Sequence, residues 1–331
     1  MSNKVSISKI ARDMEISVST VSRALSGNGR ISEETRQRVL EYLEGRQLVP
    51  NRREKRYGDV KTNIIGVTIP REDELVFLPY FQHIFFSICD YFAELGMQVI
   101  PIKISSKDIT YLKRAIEGHI VDGVILSRRV ETMGEIRFLK ERGVPFVLIG
   151  SIDDPDVRQV EADNEKAVYE LISTLIQKEC YKMAVMCADK RHPINQKRFK
   201  GIMDAHVEHY MVLDPEFVFY GTDSMTAASN AIDRILAAKM DGIICMDDNI
   251  CLNVMKLLQK RHVKIPRDIK VASLHNSSMI ENWKPRITCV NYDMDALGRT
   301  AGEMLYRLLC GEDSPPTVIV KSEIQLKEST E

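Results

Sequence analysis

The sequence predicts a small all-α headpiece joined to an α/β body of two lobes, and three observations carry that prediction. Residues 17–30, Ser-Val-Ser-Thr-Val-Ser-Arg-Ala-Leu-Ser-Gly-Asn-Gly-Arg, combine a helix start, a polar face and an apolar seam. From Lys61 onward, short β-rich apolar runs alternate with helical periods in two successive series. The charge is uneven as well: residues 1–58 hold 12 Lys and Arg against 7 Asp and Glu, whereas the remainder holds 34 against 40.

In the headpiece, Ile7, Ile10, Ala11 and Met14 mark a short amphipathic helix, and Glu15-Ile16 leaves room only for a tight turn. Ser17 is placed to cap the next helix, whose Val21 and Leu25 recur at helical spacing for burial. Val18, Ser19, Ser22 and Arg23 are left on the opposite face. Two short helices with so brief a turn read as helix-turn-helix, the second able to lie in a DNA major groove. A third helix is expected from Ser32, with Glu33 and Glu34 suiting the positive end of its dipole, Val39, Leu40 and Leu43 closing the core, and Gly45 ending it. The plainer alternative is a three-helix cap whose hydroxyl residues only terminate helices. The coincident basic charge favours the DNA reading. The headpiece is placed at 1–49, a linker rich in Arg and Lys at 50–61, and the body at 62–331.

In the body, the first series runs through 63–69, 81–95, 98–104, 109–118, 123–126, 134–142 and 145–149. The second runs through 167–177, 183–187, 198–208, 217–220, 226–238, 242–246, 252–261 and 270–274. Such alternation implies parallel sheets with helices on both faces, in two lobes separated by a cleft. Neither half contains G-x-G-x-x-G, a Walker A loop, a G-x-S-x-G elbow or H-E-x-x-H. The seven cysteines are scattered without a C-x-x-C pair and suit a reducing compartment as buried thiols, so the chain is expected in the cytoplasm. No apolar run is long enough to span a membrane, and no metal or cofactor site is expected.

These motifs resemble the lactose-repressor/galactose-repressor (LacI/GalR) family of bacterial transcription regulators. Ser6-Ile7-Ser8-Lys9-Ile10-Ala11 looks like that family's opening helix, Val18-Ser19-Thr20-Val21-Ser22-Arg23 its recognition helix, and Ser32-Glu33-Glu34-Thr35-Arg36 its third. The resemblance implies a two-lobed effector domain similar to periplasmic binding proteins. It places effector contacts at Arg198 (in Arg198-Phe199-Lys200-Gly201), Asp247 (in Met246-Asp247-Asp248-Asn249) and His275, with Asp163, Asp223, Tyr80 and Phe81 beside them. Each has a plainer role open to it: Asp163 and Asp247 as helix caps, His275 as a core histidine, Tyr80 and Phe81 as core aromatics. The family's linker usually presents a Leu that wedges into the minor groove, and here Tyr57 stands there, flanked by Arg53 and Arg56.

The resulting expectation is a DNA-binding regulator and not an enzyme: a dimeric repressor of carbohydrate-utilisation genes, controlled by a small neutral sugar in the interlobe cleft. Carboxylates at Asp163, Asp223 and Asp247 would accept sugar hydroxyls and repel a phosphate. Val18, Ser19, Arg23 and Arg30 are the candidates to read base edges, since a guanidinium can bond two acceptors on guanine. Ser6, Ser17, Thr20, Asn28 and Thr35 are the candidates to hold phosphates. The partners expected are a pseudo-palindromic duplex operator and a second copy of the chain, as a homodimer or a tetramer of two such dimers, with no membrane. Two rivals stay open: the same DNA-binding role with a purine or phosphoprotein effector, and a sugar-binding or sugar-modifying enzyme with an N-terminal interaction domain.

Overall fold

The structure, a computed structural model, describes residues 4–17, 20, 21, 24, 31–44, 49–51, 61–71 and 79–331, without the side chains of 4–9, 44 and 49–51. These residues form two units, Met1–Lys61 and Thr62–Glu331.

In the first unit, α1 (Ile7–Asp13) and α2 (Glu33–Glu44) flank a helical stretch to which Thr20, Val21 and Ala24 belong. Ser17 starts that stretch: its Oγ accepts from the Thr20 N–H at 3.0 Å and shares a hydrogen bond with the Thr20 hydroxyl at 2.7 Å. Ser32 repeats the arrangement at the head of α2, accepting from the Thr35 N–H at 3.2 Å and bonding its hydroxyl at 2.7 Å. Ile10, Ala11, Val21, Ala24, Val39 and Leu43 make a small core, with Tyr42 packed on its edge and donating to Asp13 at 2.6 Å. Leu40, expected in that core, is instead 37% exposed, because the turn from Val39 to Leu40 carries it off the buried stripe. One feature was not anticipated: β1 (Lys4–Ser6) pairs in parallel with β2 (Val49–Asn51), tying the two ends of the headpiece together. Leu25 and Gly45 lie outside the described residues.

The second unit has two six-stranded sheets. The first lobe contains β3 (Ile64–Pro70), α3 (Pro79–Glu94), β4 (Gln98–Ile104), α4 (Thr110–Glu117), β5 (Gly123–Leu126), α5 (Gly134–Arg142), β6 (Phe146–Ile149) and β7 (Arg158–Ala162). The second contains α6 (Asn164–Gln177), β8 (Met183–Met186), α7 (Pro193–Glu208), β9 (Val218–Phe219), α8 (Met225–Ala237), β10 (Gly242–Cys245), α9 (Asp248–Lys260), β11 (Lys270–Ser273), α10 (Ser278–Glu281) and β12 (Thr288–Tyr292). After β12 the chain returns to the first lobe for α11 (Met294–Leu309) and β13 (Thr317–Val320), then to the second for β14 (Ser322–Gln325). Strand orders are β13-β7-β6-β5-β3-β4 and β14-β12-β11-β10-β8-β9. All pairings are parallel except β12 with β14. Strands β5, β6, β8 and β10 are buried along their whole length, as strands covered on both faces must be.

The returning helix α11 fits because it is small where it meets α3. A Cβ on Gly298 would lie 2.7 Å from the Ser87 Cβ and 3.0 Å from the Ile84 carbonyl oxygen, so only glycine allows this approach. The Ser87 hydroxyl also donates to the Asp295 carbonyl at 2.7 Å. Among the described residues, no helix is long and apolar enough to cross a membrane.

Candidate functional site

The carboxyl ends of the strands in both lobes lead into loops and helix starts, where open α/β sheets bind ligands. Three crossings between the lobes lie here: Ala162 to Asn164, Tyr292 to Met294, and Val320 to Ser322. Aspartates cap two of the helices that begin at a crossing. Asp163 accepts from Lys166 N–H at 3.3 Å, and Asp293 from Ala296 N–H at 2.8 Å.

Arg198, on the second turn of α7, is only 4% exposed. Its Nε donates to Asn164 Oδ1 at 3.1 Å, its Nη1 donates to the Met246 carbonyl, and its guanidinium lies 5.4 Å from the Tyr292 ring centroid. Asn164 is itself fixed by donating to the Ala162 carbonyl at 3.0 Å, so the arginine is held by the first crossing and by the end of β10 together. Gly201, one turn on, allows this: a Cβ there would lie 2.4 Å from the Glu165 carbonyl oxygen, so glycine lets α6 and α7 close on each other.

Asp247 follows β10 and caps α9 by accepting from Ile250 N–H at 2.8 Å. Burial raises its carboxyl above the usual carboxylate range; the Ile250 N–H opposes this, Asp248 adds to it, and Arg198 and His275 oppose it. The next residue behaves in the opposite way. Burial pushes Asp248 up, but the hydrogen bond and charge of His275 and the Ser277 hydroxyl outweigh it and hold the carboxyl below its usual range.

His275, just past β11, is buried. Its Nδ1 lies 3.2 Å from Asp248 Oδ1, and Ser277 Oγ donates to the other carboxylate oxygen. The imidazole stacks on Tyr292 with centroids 5.8 Å apart, and Tyr80 from α3 of the other lobe approaches it edge-on at 6.1 Å. Burial, with Tyr292 adding and Arg198 opposing, pushes the Tyr80 phenol up to about 12, so it is a neutral donor at any ordinary pH. Phe81 is buried and meets Tyr80 edge-on at 5.1 Å.

The structure thus brings Tyr80, Arg198, Asp247 and His275 into one group spanning both lobes, with Phe81 behind Tyr80 and Asp163 at the crossing. Asp223 stands apart on an exposed loop, where its charge is still felt at Cys187 along with those of Asp247 and Arg198. Of the three carboxylates that pointed to a neutral ligand, Asp163 and Asp247 are occupied as caps, so only part of their accepting capacity faces the cleft. Sequence reading missed Ser277 and Tyr292. It also missed Arg128 and Arg129, which follow β5 and whose charge, with that of Arg198, helps lower the His192 imidazole after enclosure by surrounding protein does so. Their position right after the predicted strand 123–126 was the available signal.

On the headpiece side, Ser17, Thr20 and Thr35 sit at helix starts with their hydroxyls in the caps already described. Val18, Ser19, Arg23, Asn28, Arg30, Arg53, Arg56 and Tyr57 lie outside the described residues, as does the side chain of Ser6. Among the described residues no group of His, Cys, Asp and Glu could hold a metal ion.

A two-lobed ligand-binding domain of the periplasmic-binding type, behind a helix-turn-helix headpiece, is the class of protein that this architecture defines. Comparison with known proteins agrees. Residues 6–51 match the model of bacterial regulatory proteins of the lacI family, and residues 172–330 match a periplasmic binding protein-like domain. The catabolite control protein A of Staphylococcus xylosus is 24% identical over 335 residues, covering 98% of this chain and 99% of its own. The HTH-type transcriptional regulator CelR of Thermobifida fusca is 24% identical, covering 94% of each. Among solved structures, a CelR–cellobiose complex superimposes with a TM-score of 0.71 at 23% identity over 98% of this chain and 99% of that one. A probable maltose operon repressor from a staphylococcus gives 0.75 at 19% identity over 82% of this chain and 98% of that one. The chain thus joins a DNA-binding domain of the lacI type to a periplasmic binding protein-like domain, and it is a DNA-binding transcriptional regulator similar over nearly its whole length to other such regulators.

Proposed function

We propose that the chain is a cytoplasmic, dimeric repressor of carbohydrate-utilisation genes whose operator affinity is set by a small neutral sugar in the interlobe cleft. The observation that carries this is the convergence of Tyr80 from one lobe with Arg198, Asp247 and His275 from the other. Such a mixture of an aromatic face, a forked donor and a carboxyl suits a polyhydroxylated ligand. Relatives that are solved or named for maltose and cellobiose support the same class of ligand.

In this reading Arg23 and Arg30 read guanines, Val18 and Ser19 meet neighbouring base edges, Ser6, Ser17, Thr20, Asn28 and Thr35 hold phosphates, and Arg53, Arg56 and Tyr57 approach the minor groove. Asp163, Asp223 and Phe81 shape the ligand site. Effector binding changes the angle between lobes and so the spacing of two heads, which requires a preference of about 1–3 kcal/mol for one lobe arrangement. A second reading, an effector bearing an anionic group, is favoured by Arg128, Arg129 and His192 near the same strand ends.

Thermal unfolding with cellobiose, maltose, glucose and glucose 6-phosphate tests both. A rise in Tm with a neutral sugar, coupled to a changed affinity for a selected operator, supports the first reading. A rise with the phosphorylated sugar alone replaces it with the second, and turnover of any of them would revive the enzyme reading.

A further inference from the structure

Within the cleft, one polar atom stands out. His275 Nε2 is buried and has no hydrogen-bond partner among the described residues, while the rest of the ring is fixed on every side. Nδ1 faces Asp248 at 3.2 Å, Tyr292 stacks on one face, and Tyr80 meets the ring edge-on from the other lobe. The backbone is pinned too: Ser273 Oγ donates to the His275 carbonyl at 2.6 Å, and Leu274 N–H donates to the Cys245 carbonyl at 2.8 Å. An ionised carboxylate can only accept hydrogen bonds, so a neutral imidazole beside it keeps its single proton on the nitrogen that faces it. Ser277 completes the arrangement by donating to the second Asp248 oxygen, which stops the carboxylate from turning away.

We infer that Asp248 and Ser277 are positioning residues for effector recognition: with the ring in its neutral form, they hold the His275 proton on Nδ1 and leave Nε2 as a bare acceptor, to which the effector brings a hydroxyl hydrogen. This rests on the cleft being the effector site and narrows what it accepts there. A sugar hydroxyl satisfies Nε2; a carboxylate or phosphate oxygen at the same point would face a lone pair with a lone pair and is refused. Tyr80 belongs to the first lobe and His275 to the second, so the Tyr80–His275 ring contact joins the two lobes beside this acceptor.

The test is nitrogen NMR of the histidine-labelled full-length chain, with His275→Gln to assign the signal, alongside sugar titrations of the wild type, Asp248→Asn and Ser277→Ala. The wild type is expected to show a protonated Nδ1 and a bare Nε2 whose resonance moves on saturation with the sugar that binds. Asp248→Asn is expected to shift the proton towards Nε2 and to weaken that sugar by about tenfold, and Ser277→Ala to do both to a smaller degree. Ser277→Ala keeps the test open if Asp248→Asn does not fold. A proton on Nε2 in the wild type, a doubly protonated ring at pH 7.5, or sugar saturation without movement of the Nε2 signal overturns the proposal. If cellobiose, maltose and glucose all leave the wild-type Tm unmoved, it is the carbohydrate reading of the cleft that fails. The proton position still decides the state of His275.

Discussion

Asp247 and Asp248 are neighbours with opposite shifts, and stability should separate them. A carboxyl raised in the folded state binds its proton more tightly folded than unfolded, so its contribution is full below the ordinary carboxylate pKa and is lost as pH rises through the raised value. Asp247→Asn keeps a cap and never ionises. Its stability relative to the wild type should therefore grow as pH rises through that window and level off above it. Melting curves from pH 4 to 8 read this directly, and a difference that is flat with pH would show that Asp247 does not carry the raised value. Asp248 has the reverse sign: its contribution is present above the ordinary range and disappears as pH falls through its depressed value. Arg198 belongs to the same scale. Arg198→Ala leaves Asn164 Oδ1 and the Met246 carbonyl without their donor, so unfolding by urea should show a loss of about 1–3 kcal/mol in addition to lost effector binding.

Among the elements, the two Ser-x-x-Thr starts of the headpiece helices are the most exposed to test. Ser32→Ala removes the acceptor for the Thr35 N–H and should lower headpiece stability by about 1 kcal/mol, measured on the first thermal transition of the full chain. Gly298→Ala forces a Cβ against Ser87 and the Ile84 carbonyl and should cost about 1–3 kcal/mol in the body's transition. A Tm unchanged by Gly298→Ala would mean that α11 stands further from α3 than described. The same elements show what was legible. The strands read as four-residue apolar runs because they are covered on both faces, and the helices as amphipathic periods, so β5, β8 and β10 fell within the predicted runs. The β1–β2 pairing was not legible, since a three-residue strand holding Pro50 has no alternation to read.

At the scale of the whole chain, two α/β lobes followed from the repeated alternation, but their true partition did not. Residues 294–320 go back to the first lobe, and nothing in local periodicity records which sheet a helix or strand joins. The cleft was legible only where a motif carried it: Tyr80, Arg198, Asp247 and His275, named from motifs, stand together in the structure, whereas Ser277 touches Asp248 and carries no motif of its own. For DNA binding, selection from a random duplex pool should return a site of two-fold symmetry. Affinity for it should fall steeply with salt, and Arg23→Ala should abolish the selection. Recovery of unrelated sequences with both proteins would remove Arg23 from the base-reading role.

The three crossings also govern how such a chain can be made. When the ribosome has finished the first sheet as far as β7, that lobe still has an open strand edge where β13 belongs and an uncovered face on α3 where α11 belongs. The helix face is covered only when α11 ends at Leu309, and the edge is filled only when β13 ends at Val320, both long after Ala162 closes β7. The nascent first lobe therefore keeps an unpaired strand edge and an apolar helix face open to non-native pairing while the second is being made. A frameshift or proteolytic cut between the two segments would leave not a smaller sensor but two incomplete sheets.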